Sequence, residues 1–132
     1  MPHVIVEYTT NLARVTDLRA LLDALHAAAL SSPIVPTDAL RTRAEPRTDY
    51  RVADGHPDNA FLAIIARLGP GRTADEKHAL LGLLLGAAEL SLGPAAANVM
   101  LSVEYQEIDA EFRINKNNLR AVMAARQTSQ EA

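Results

Sequence analysis

The chain has 132 residues, of which 48% are apolar, and a formal net charge of −3 at pH 7. This length suits a single domain over residues 1–132, and the apolar fraction is enough for one hydrophobic core. The chain contains no Cys, which excludes disulfides, thiolate catalysis and Cys-ligated metal sites. An acidic balance without a block of Lys or Arg argues against nucleic acid as a partner.

Nothing in the sequence predicts export or insertion into a membrane. The first residues lack the basic start and the long apolar stretch of a signal peptide. The apolar run around residues 79–92 is interrupted by Glu89 and is shorter than a bilayer-spanning helix. We therefore expect a cytoplasmic protein that has no membrane partner.

The chain begins Met-Pro, and residues 2–8 predict a strand. If Met1 is removed, Pro2 becomes the amino terminus, and its secondary amine can take and return protons. The pKa of an ordinary α-amino group is about 7.7–8.0, and burial or a nearby cation would lower it toward neutral pH. A free Pro2 is therefore a candidate general base. With Met1 attached, the Pro2 nitrogen is a planar amide without useful basicity, and the proline would only open a strand.

The first half of the chain predicts a βαβ unit over about residues 2–52. Its helix, residues 16–30, has one apolar stripe at the i, i+3, i+4, i+7 spacing, and a strand follows over about residues 40–52. Arg41 and Arg43 open that strand and lie on the same face of it. Two cations on one face repel each other unless they are exposed or share an anion, and both interpretations remain open.

The second half predicts another βαβ unit, over about residues 59–107, after an Asp-Gly turn. Its first strand, residues 59–68, is apolar on both faces and should therefore be central in the sheet. A helix is predicted over residues 73–92. The last strand, residues 98–107, alternates apolar and other residues, which is typical of a sheet covered on one face.

A Gly-flanked arginine, Arg72, lies where this second unit passes from strand to helix. Thr73 and Glu76 follow it with the spacing of a capping box. An arginine in this position can direct its guanidinium at a carboxylate, and the helix N-terminus adds N–H donors and partial positive charge. A solvated arginine in a tight turn would explain the same residues. The Gly-x4-Gly-Lys-Ser/Thr pattern of a phosphate-binding loop is absent.

Together the two units predict one α/β (α+β) domain, with a four-stranded mixed sheet and two helices on one of its faces. Each crossover should be right-handed. The other face keeps an apolar surface that one chain cannot cover, which predicts an oligomer.

The C-terminal segment, residues 108–132, fits neither unit. We expect Phe112, Ile114 and Leu119 to anchor it on a neighbouring chain, and residues 127–132 to fray.

The histidines do not predict a metal site. His3, His26, His56 and His78 lie on separate predicted elements, without the close spacing of zinc ligands. His3 is next to Pro2 and would line its pocket. The Gly-x-Ser-x-Gly motif of many serine hydrolases is also absent.

Several segments of the sequence resemble a known family. A proline that opens the first strand, a Gly-Arg-Thr between strand and helix, and the doubled βαβ length are similar to the tautomerase superfamily. More narrowly, the chain resembles 5-carboxymethyl-2-hydroxymuconate Δ-isomerases in five segments: Met-Pro-His-Val-Ile-Val-Glu-Tyr, Leu-Arg-Thr-Arg, Val-Ala-Asp-Gly, Gly-Pro-Gly-Arg and Asn-Lys-Asn-Asn. The resemblance extends from Pro2 to about Leu119.

The resemblance implies a homotrimer that ketonises a dienol acid with three carboxylates, formed by aromatic-ring cleavage in homoprotocatechuate degradation. It implies that Pro2 is the catalytic base and acid, and that Arg72 binds a carboxylate or carbonyl. Arg41 and Arg43 match the family's strand arginines, and Phe112 is the nearest candidate for its pocket aromatic. This chemistry needs neither a metal nor an organic cofactor.

Two alternatives remain open at this level. The chain would also suit a non-catalytic trimer of tautomerase-like fold that binds a small acid. It would equally suit a tautomerase or dehalogenase that acts on a different substrate. The intact mass tests the first alternative, because only a processed chain has the free proline amine. A panel of enol substrates tests the second.

Overall fold

The structure, a computed structural model, describes residues 1–131. The strands are β1 (His3–Thr9), β2 (Arg41–Arg47), β3 (Ala60–Leu68) and β4 (Val99–Glu107), and the α-helices are α1 (Leu18–Leu30), α2 (Ala74–Leu92) and α3 (Leu119–Glu131). Short 3₁₀ turns follow β1 at Thr10–Arg14 and α2 at Gly93–Asn98. The predicted strand and helix order is therefore confirmed up to β4.

The four strands form one mixed sheet in the order β2-β1-β3-β4. Strand β1 is parallel to β2 and antiparallel to β3, and β3 is parallel to β4. Strand β3 is central, as its apolar sequence predicted. Helices α1 and α2 pack on the same sheet face, and the core between them and the sheet includes Val4, Val6, Leu21, Leu25, Leu62, Ile64, Leu80 and Leu84.

Side-chain caps determine where the two core helices begin. Thr73 accepts a hydrogen bond from the Glu76 N–H and Glu76 accepts one from the Thr73 N–H, so the predicted capping box of α2 is confirmed. The prediction that α1 begins at residue 16 is two residues early. Asp17 is its N-cap, and its carboxylate accepts hydrogen bonds from the N–H groups of Arg19 and Ala20.

The strand predicted over about residues 40–52 is shorter than expected, because β2 ends at Arg47. Strand β2 is an edge strand whose partner is β1, and β1 ends at Thr9, opposite Arg47. Beyond Arg47, β1 has no further residue with which to continue the ladder. Pro46 also lacks an N–H for further pairing.

The helix α3 was not predicted, and the expectation that residues 127–131 fray is wrong, because they continue this helix. Residue 132 lies outside the described residues. Ala, Arg, Met and Gln, all good helix formers, make up much of α3. The Asn117 side chain accepts a hydrogen bond from the Leu119 N–H, and Asn117 and Arg120 hold the segment on Asp38. Phe112 and Ile114 remain 82% and 100% exposed.

The helical run Ala74–Asn98 is long and apolar enough to cross a membrane, by length and composition alone. The expectation that the apolar run of the second helix is too short to span a bilayer is therefore wrong as to its length. One side of α2 supplies Leu80, Leu84, Ala88 and Leu92 to the core. A core helix of a globular domain passes the same test of length and composition.

The sheet face opposite α1 and α2 is not covered by those two helices. At the end of the sheet next to the amino terminus it carries a cationic row, in which His3 pairs with Arg41 on one side and Arg67 on the other. The apolar side chains predicted for this face lie farther along it. One of them, Met100, is 60% exposed.

Candidate active site

Pro2 lies at the end of the sheet, one residue before β1. Its side chain is less than 2% exposed, and its carbonyl accepts a hydrogen bond from the Arg41 N–H at 3.2 Å. Because β1 and β3 are antiparallel with His3 opposite Arg67, the loop that follows β3 lies beside the amino terminus. The beginning of the chain is therefore a packed position.

Arg72 lies in this loop, and backbone carbonyls hold its guanidinium. Arg72 Nη1 donates to the carbonyls of Gly69 and Pro70, at 3.2 Å each. Its Nη2 makes a longer contact of 3.5 Å to the Ile34 carbonyl, on the α1–β2 connection. The side chain thus bridges two loops at the end of the sheet and is fixed in position.

His3 lies between the two arginines of β2. Its Nε2 is 3.0 Å from Arg41 Nη1 and its Nδ1 is 3.1 Å from Arg43 Nη1. Burial first, and then the charges of Arg41, Arg43 and Arg67, lower the pKa of His3 to about 4. A neutral imidazole has only one acceptor nitrogen. One of the two guanidinium groups can therefore form a hydrogen bond with His3, and the other is available to a ligand.

Arg113 is the site residue that sequence reasoning missed. Its Nη1 is buried and has no hydrogen-bond partner among the described residues. A Cβ placed on Gly69 would lie 3.3 Å from this nitrogen and 3.7 Å from Arg72 Nη1, so the two guanidinium groups converge over Gly69. Arg113 stands in a segment without a helix or strand pattern, and nothing in that segment indicates where its side chain points.

Electrostatics at this end of the sheet favour a neutral amine. The amino group, which in this structure belongs to Met1, has its pKa lowered from the usual 8.0 by burial and then by Arg113, Arg72 and Arg41. The ion pairs found in residues 1–131 are Arg47 with Glu7 and Glu45, His56 with Asp58, and Arg120 with Asp38. The arginines beside the amino terminus are in none of them, so this acidic chain has an uncompensated cationic cluster.

A tyrosine lies on the helix-covered side of the same sheet. Tyr105 Oη is buried without a hydrogen-bond partner among the described residues. The ammonium of Lys77 is 5.2 Å from the centre of its ring. Burial raises the pKa of Tyr105, and the charge of Arg72 opposes that shift. The phenol therefore stays a neutral hydrogen-bond donor at neutral pH. It lies close enough to Arg72 to be affected by that charge.

The structure brings most, but not all, of the residues expected in the site together. Arg41 and Arg72 lie close enough to the amino terminus beside Pro2 to lower its pKa. Arg43 lies next to them, with its Nη1 3.1 Å from His3 Nδ1. Phe112 points into solvent in the single chain and does not join them.

Two cavities lie outside the amino-terminal cluster. One of about 720 Å³ is at the opposite end of the sheet, around Asn11 and Tyr50. A smaller one, of about 410 Å³, adjoins Pro70 but is lined by Glu107 and Asp109, whose charges disfavour an acid. The amino-terminal cluster, by contrast, combines an amine of lowered pKa with arginines that could bind an anion.

Comparisons with known proteins match most of the chain. A family model described as 5-carboxymethyl-2-hydroxymuconate isomerase matches residues 2–123. The 5-carboxymethyl-2-hydroxymuconate Delta-isomerase of Escherichia coli is 24% identical to this chain over 124 residues, which are 92% of this chain and 98% of the relative.

Solved structures share the fold over most of the chain. A 5-carboxymethyl-2-hydroxymuconate isomerase from Deinococcus radiodurans R1 is 30% identical, with a TM-score of 0.84 over 92% of this chain and 93% of that one. A fused 4-OT, solved as a symmetric trimer, is 25% identical, with a TM-score of 0.63 over 88% of this chain and 92% of that one.

Proposed function

The chain belongs to the 5-carboxymethyl-2-hydroxymuconate isomerase family, and on that basis we propose that it ketonises an unsaturated dienol acid such as 5-carboxymethyl-2-hydroxymuconate. In this proposal Met1 is removed, and the amine of Pro2 is the general base and acid. The observation that carries the proposal is the position of Pro2, buried at the end of the sheet beside arginines that have no carboxylate partner in residues 1–131.

Ketonisation requires a base for the dienol hydroxyl, an acid for the distal carbon, and stabilisation of the dienolate between the two steps. A single amine with a near-neutral pKa can take the hydroxyl proton and then return it to carbon. Burial and the neighbouring arginines favour the neutral, proton-accepting form of such an amine. These surroundings support the role that we propose for the Pro2 amine once Met1 is removed.

The arginines would meet the third requirement, stabilisation of the dienolate, by placing fixed positive charge beside the amine. Three backbone carbonyls hold Arg72, so it needs no reorganisation when negative charge develops on the substrate. Of Arg41 and Arg43, the one that His3 does not engage is free to hold a carboxylate. An acid substrate would in turn relieve the repulsion among these cations.

The proposal includes a homotrimer whose subunits close this site. The fused 4-OT is a symmetric trimer, and here the sheet face opposite α1 and α2 is left open by those helices. The site lies at the open end of that sheet, and the exposed Phe112 and Ile114 are available to a neighbouring subunit. Phe112 would reach a substrate only in such an assembly.

One experiment tests the proposal directly. The intact mass and the rate of dienol ketonisation are measured on the same sample, followed spectrophotometrically with 5-carboxymethyl-2-hydroxymuconate and with the enol of phenylpyruvate. The expected result is a chain that has lost Met1 and prefers the first substrate. A processed chain that prefers the enol of phenylpyruvate would overturn the substrate assignment. A chain that is active with Met1 in place would overturn the role of Pro2.

A further inference from the structure

Within the cationic cluster, Arg72 and Arg113 differ in what their guanidinium groups already bind. Arg72 donates to backbone carbonyls. Arg113 Nη1 is buried and has no partner among residues 1–131. A buried donor without a partner is costly, and native proteins rarely leave one unexplained. Arg113 therefore has an unused hydrogen-bonding position beside the amino terminus.

The two guanidinium groups also meet at one point. Arg113 Nη1, Arg113 Nη2 and Arg72 Nη1 all lie within 4 Å of the place where a Cβ on Gly69 would be. Like charges this close repel each other, and the ion pairs of the described residues leave both arginines out. An anion shared by the two groups would remove the repulsion and complete the hydrogen bonding of Arg113.

We propose that Arg113 binds a carboxylate of the substrate beside the Pro2 amine, with Gly69 kept small to admit its guanidinium. The inference rests on the proposed function and makes the C-terminal segment part of the site. Asn117 and Arg120, which bind Asp38, hold this segment against the domain. Loss of Met1, whose amino group lies close enough for Arg113 to lower its pKa, opens space for the carboxylate.

The first test removes the guanidinium charge of Arg113 and keeps a polar side chain. Arg113→Gln should lower kcat/KM by about 10- to 100-fold, chiefly through KM because a binding contact is lost. Arg113→Lys keeps the charge but loses the planar fork, so its loss should be smaller. Arg126→Gln is the matched control, since it removes one exposed positive charge from the same segment and should leave both constants unchanged.

Binding is measured separately from turnover, by calorimetry with adipate and with its uncharged analogue adipamide. Adipate should bind the Arg113→Gln protein about 10- to 100-fold more weakly than the wild type, and adipamide should bind both alike. Unchanged adipate binding in Arg113→Gln would overturn the inference. So would a lower molar mass of that variant in light scattering, because Arg113 would then serve a subunit contact.

A second variant tests the role of Gly69 without touching an arginine. Gly69 does not have a positive φ, so Gly69→Ala brings no backbone strain. Its Cβ would meet Arg113 Nη1 at 3.3 Å and shift the guanidinium by a few tenths of an ångström, so we expect a modest rise in KM. The same change made in the Arg113→Gln protein should have no effect. An equal loss in both backgrounds would contradict the inference.

These measurements separate the inference from the function on which it rests. If the wild type does not ketonise the dienol acid but adipate binding depends on Arg113, the proposed reaction is wrong and the carboxylate assignment stands. If ketonisation is rapid and neither KM nor adipate binding changes in Arg113→Gln, the reaction stands and the assignment is wrong.

Discussion

At the scale of residues, the same contacts give Pro2 its position and its basicity. The ring is buried, and the carbonyl accepts a hydrogen bond from the Arg41 N–H, so two strands fix where the nitrogen lies. A general base must stay within hydrogen-bond reach of the proton that it takes, which a freely moving chain end cannot do. The same burial disfavours a charged ammonium.

The first prediction concerns the identity of this base. Pro2→Ala, with Met1 correctly removed, leaves a primary amine in the same place and should be impaired but active. A chain that keeps Met1 should lose about 10²–10⁴-fold in rate, because an amide nitrogen cannot accept the proton. Mass spectrometry and steady-state kinetics on each preparation measure both effects. Full activity with Met1 retained would disprove the role of Pro2.

The second prediction concerns the pH dependence of the rate. In this structure the amino group belongs to Met1, and burial and three arginines lower its pKa from 8.0. We expect the same surroundings to keep the Pro2 amine neutral at pH values where an ordinary α-amine is protonated. The rate should follow the neutral fraction and fall on the acid side of a pKa below 8.0. A pH–rate profile measures this pKa, and an acid limb above pH 8 would contradict the structure.

The third prediction concerns His3, whose pKa in the fold is about 4, against 6.5 for an ordinary histidine. Between these values the unfolded chain binds more protons than the folded chain. The stability that neutral His3 contributes is therefore complete above pH 6.5 and is lost as the pH falls toward 4. Urea unfolding at pH 7 and pH 5, at one protein concentration, should show a larger loss for wild type than for His3→Gln. Equal losses would contradict the shift.

At the scale of elements, local sequence predicted the two core helices and the central strand, with the start of α1 placed two residues early. The capping box at Thr73 and the central position of β3 follow from residues within each element. The end of β2 depends instead on where β1 ends, across the sheet. Helix α3 has exposed apolar side chains, such as Leu119, so it shows no stripe facing the core of its own chain.

The candidate site divides in the same way. The positions of Pro2 and Arg72 follow from their places at the start of a strand and between strand and helix, where local pattern is informative. The Arg113 guanidinium instead lies beside Gly69, a residue distant in sequence. Without a regular element to give its direction, that contact is visible only once the chain is folded.

The fourth prediction belongs to α2. Thr73→Ala removes the side chain that accepts the Glu76 N–H at 3.2 Å and should reduce the free energy of unfolding by about 0.5–2 kcal/mol. Thr73→Ser keeps the acceptor oxygen and is the matched control. Denaturant unfolding at a fixed protein concentration measures both variants. Unfolding midpoints of Thr73→Ala and wild type that coincide would show that the cap contributes nothing.

At the scale of the whole molecule, the open sheet face and the exposed C-terminal side chains lead to the fifth prediction. Light scattering at micromolar concentration should give about three times the chain mass of 14.2 kDa. Ile114 is fully exposed in the single chain, and a trimer would bury it. Ile114→Asp should therefore lower this mass, because it would place a charge inside that contact. Arg126→Asp, also in the C-terminal segment, is the control. A wild-type monomer would contradict the trimer.

The burial of Pro2 also constrains how this protein can be made and modified. In most domains the first residues tolerate leaders, affinity tags and acetyl groups, because termini lie on the surface. Here the ring of residue 2 is as buried as the core residues Val4 and Val6, and additional atoms on its nitrogen would have to fit among arginine side chains. Met1 occupies this position in the structure and is partly exposed, so an amino-terminal fusion would leave the cationic cluster in place and would keep the Pro2 nitrogen an amide.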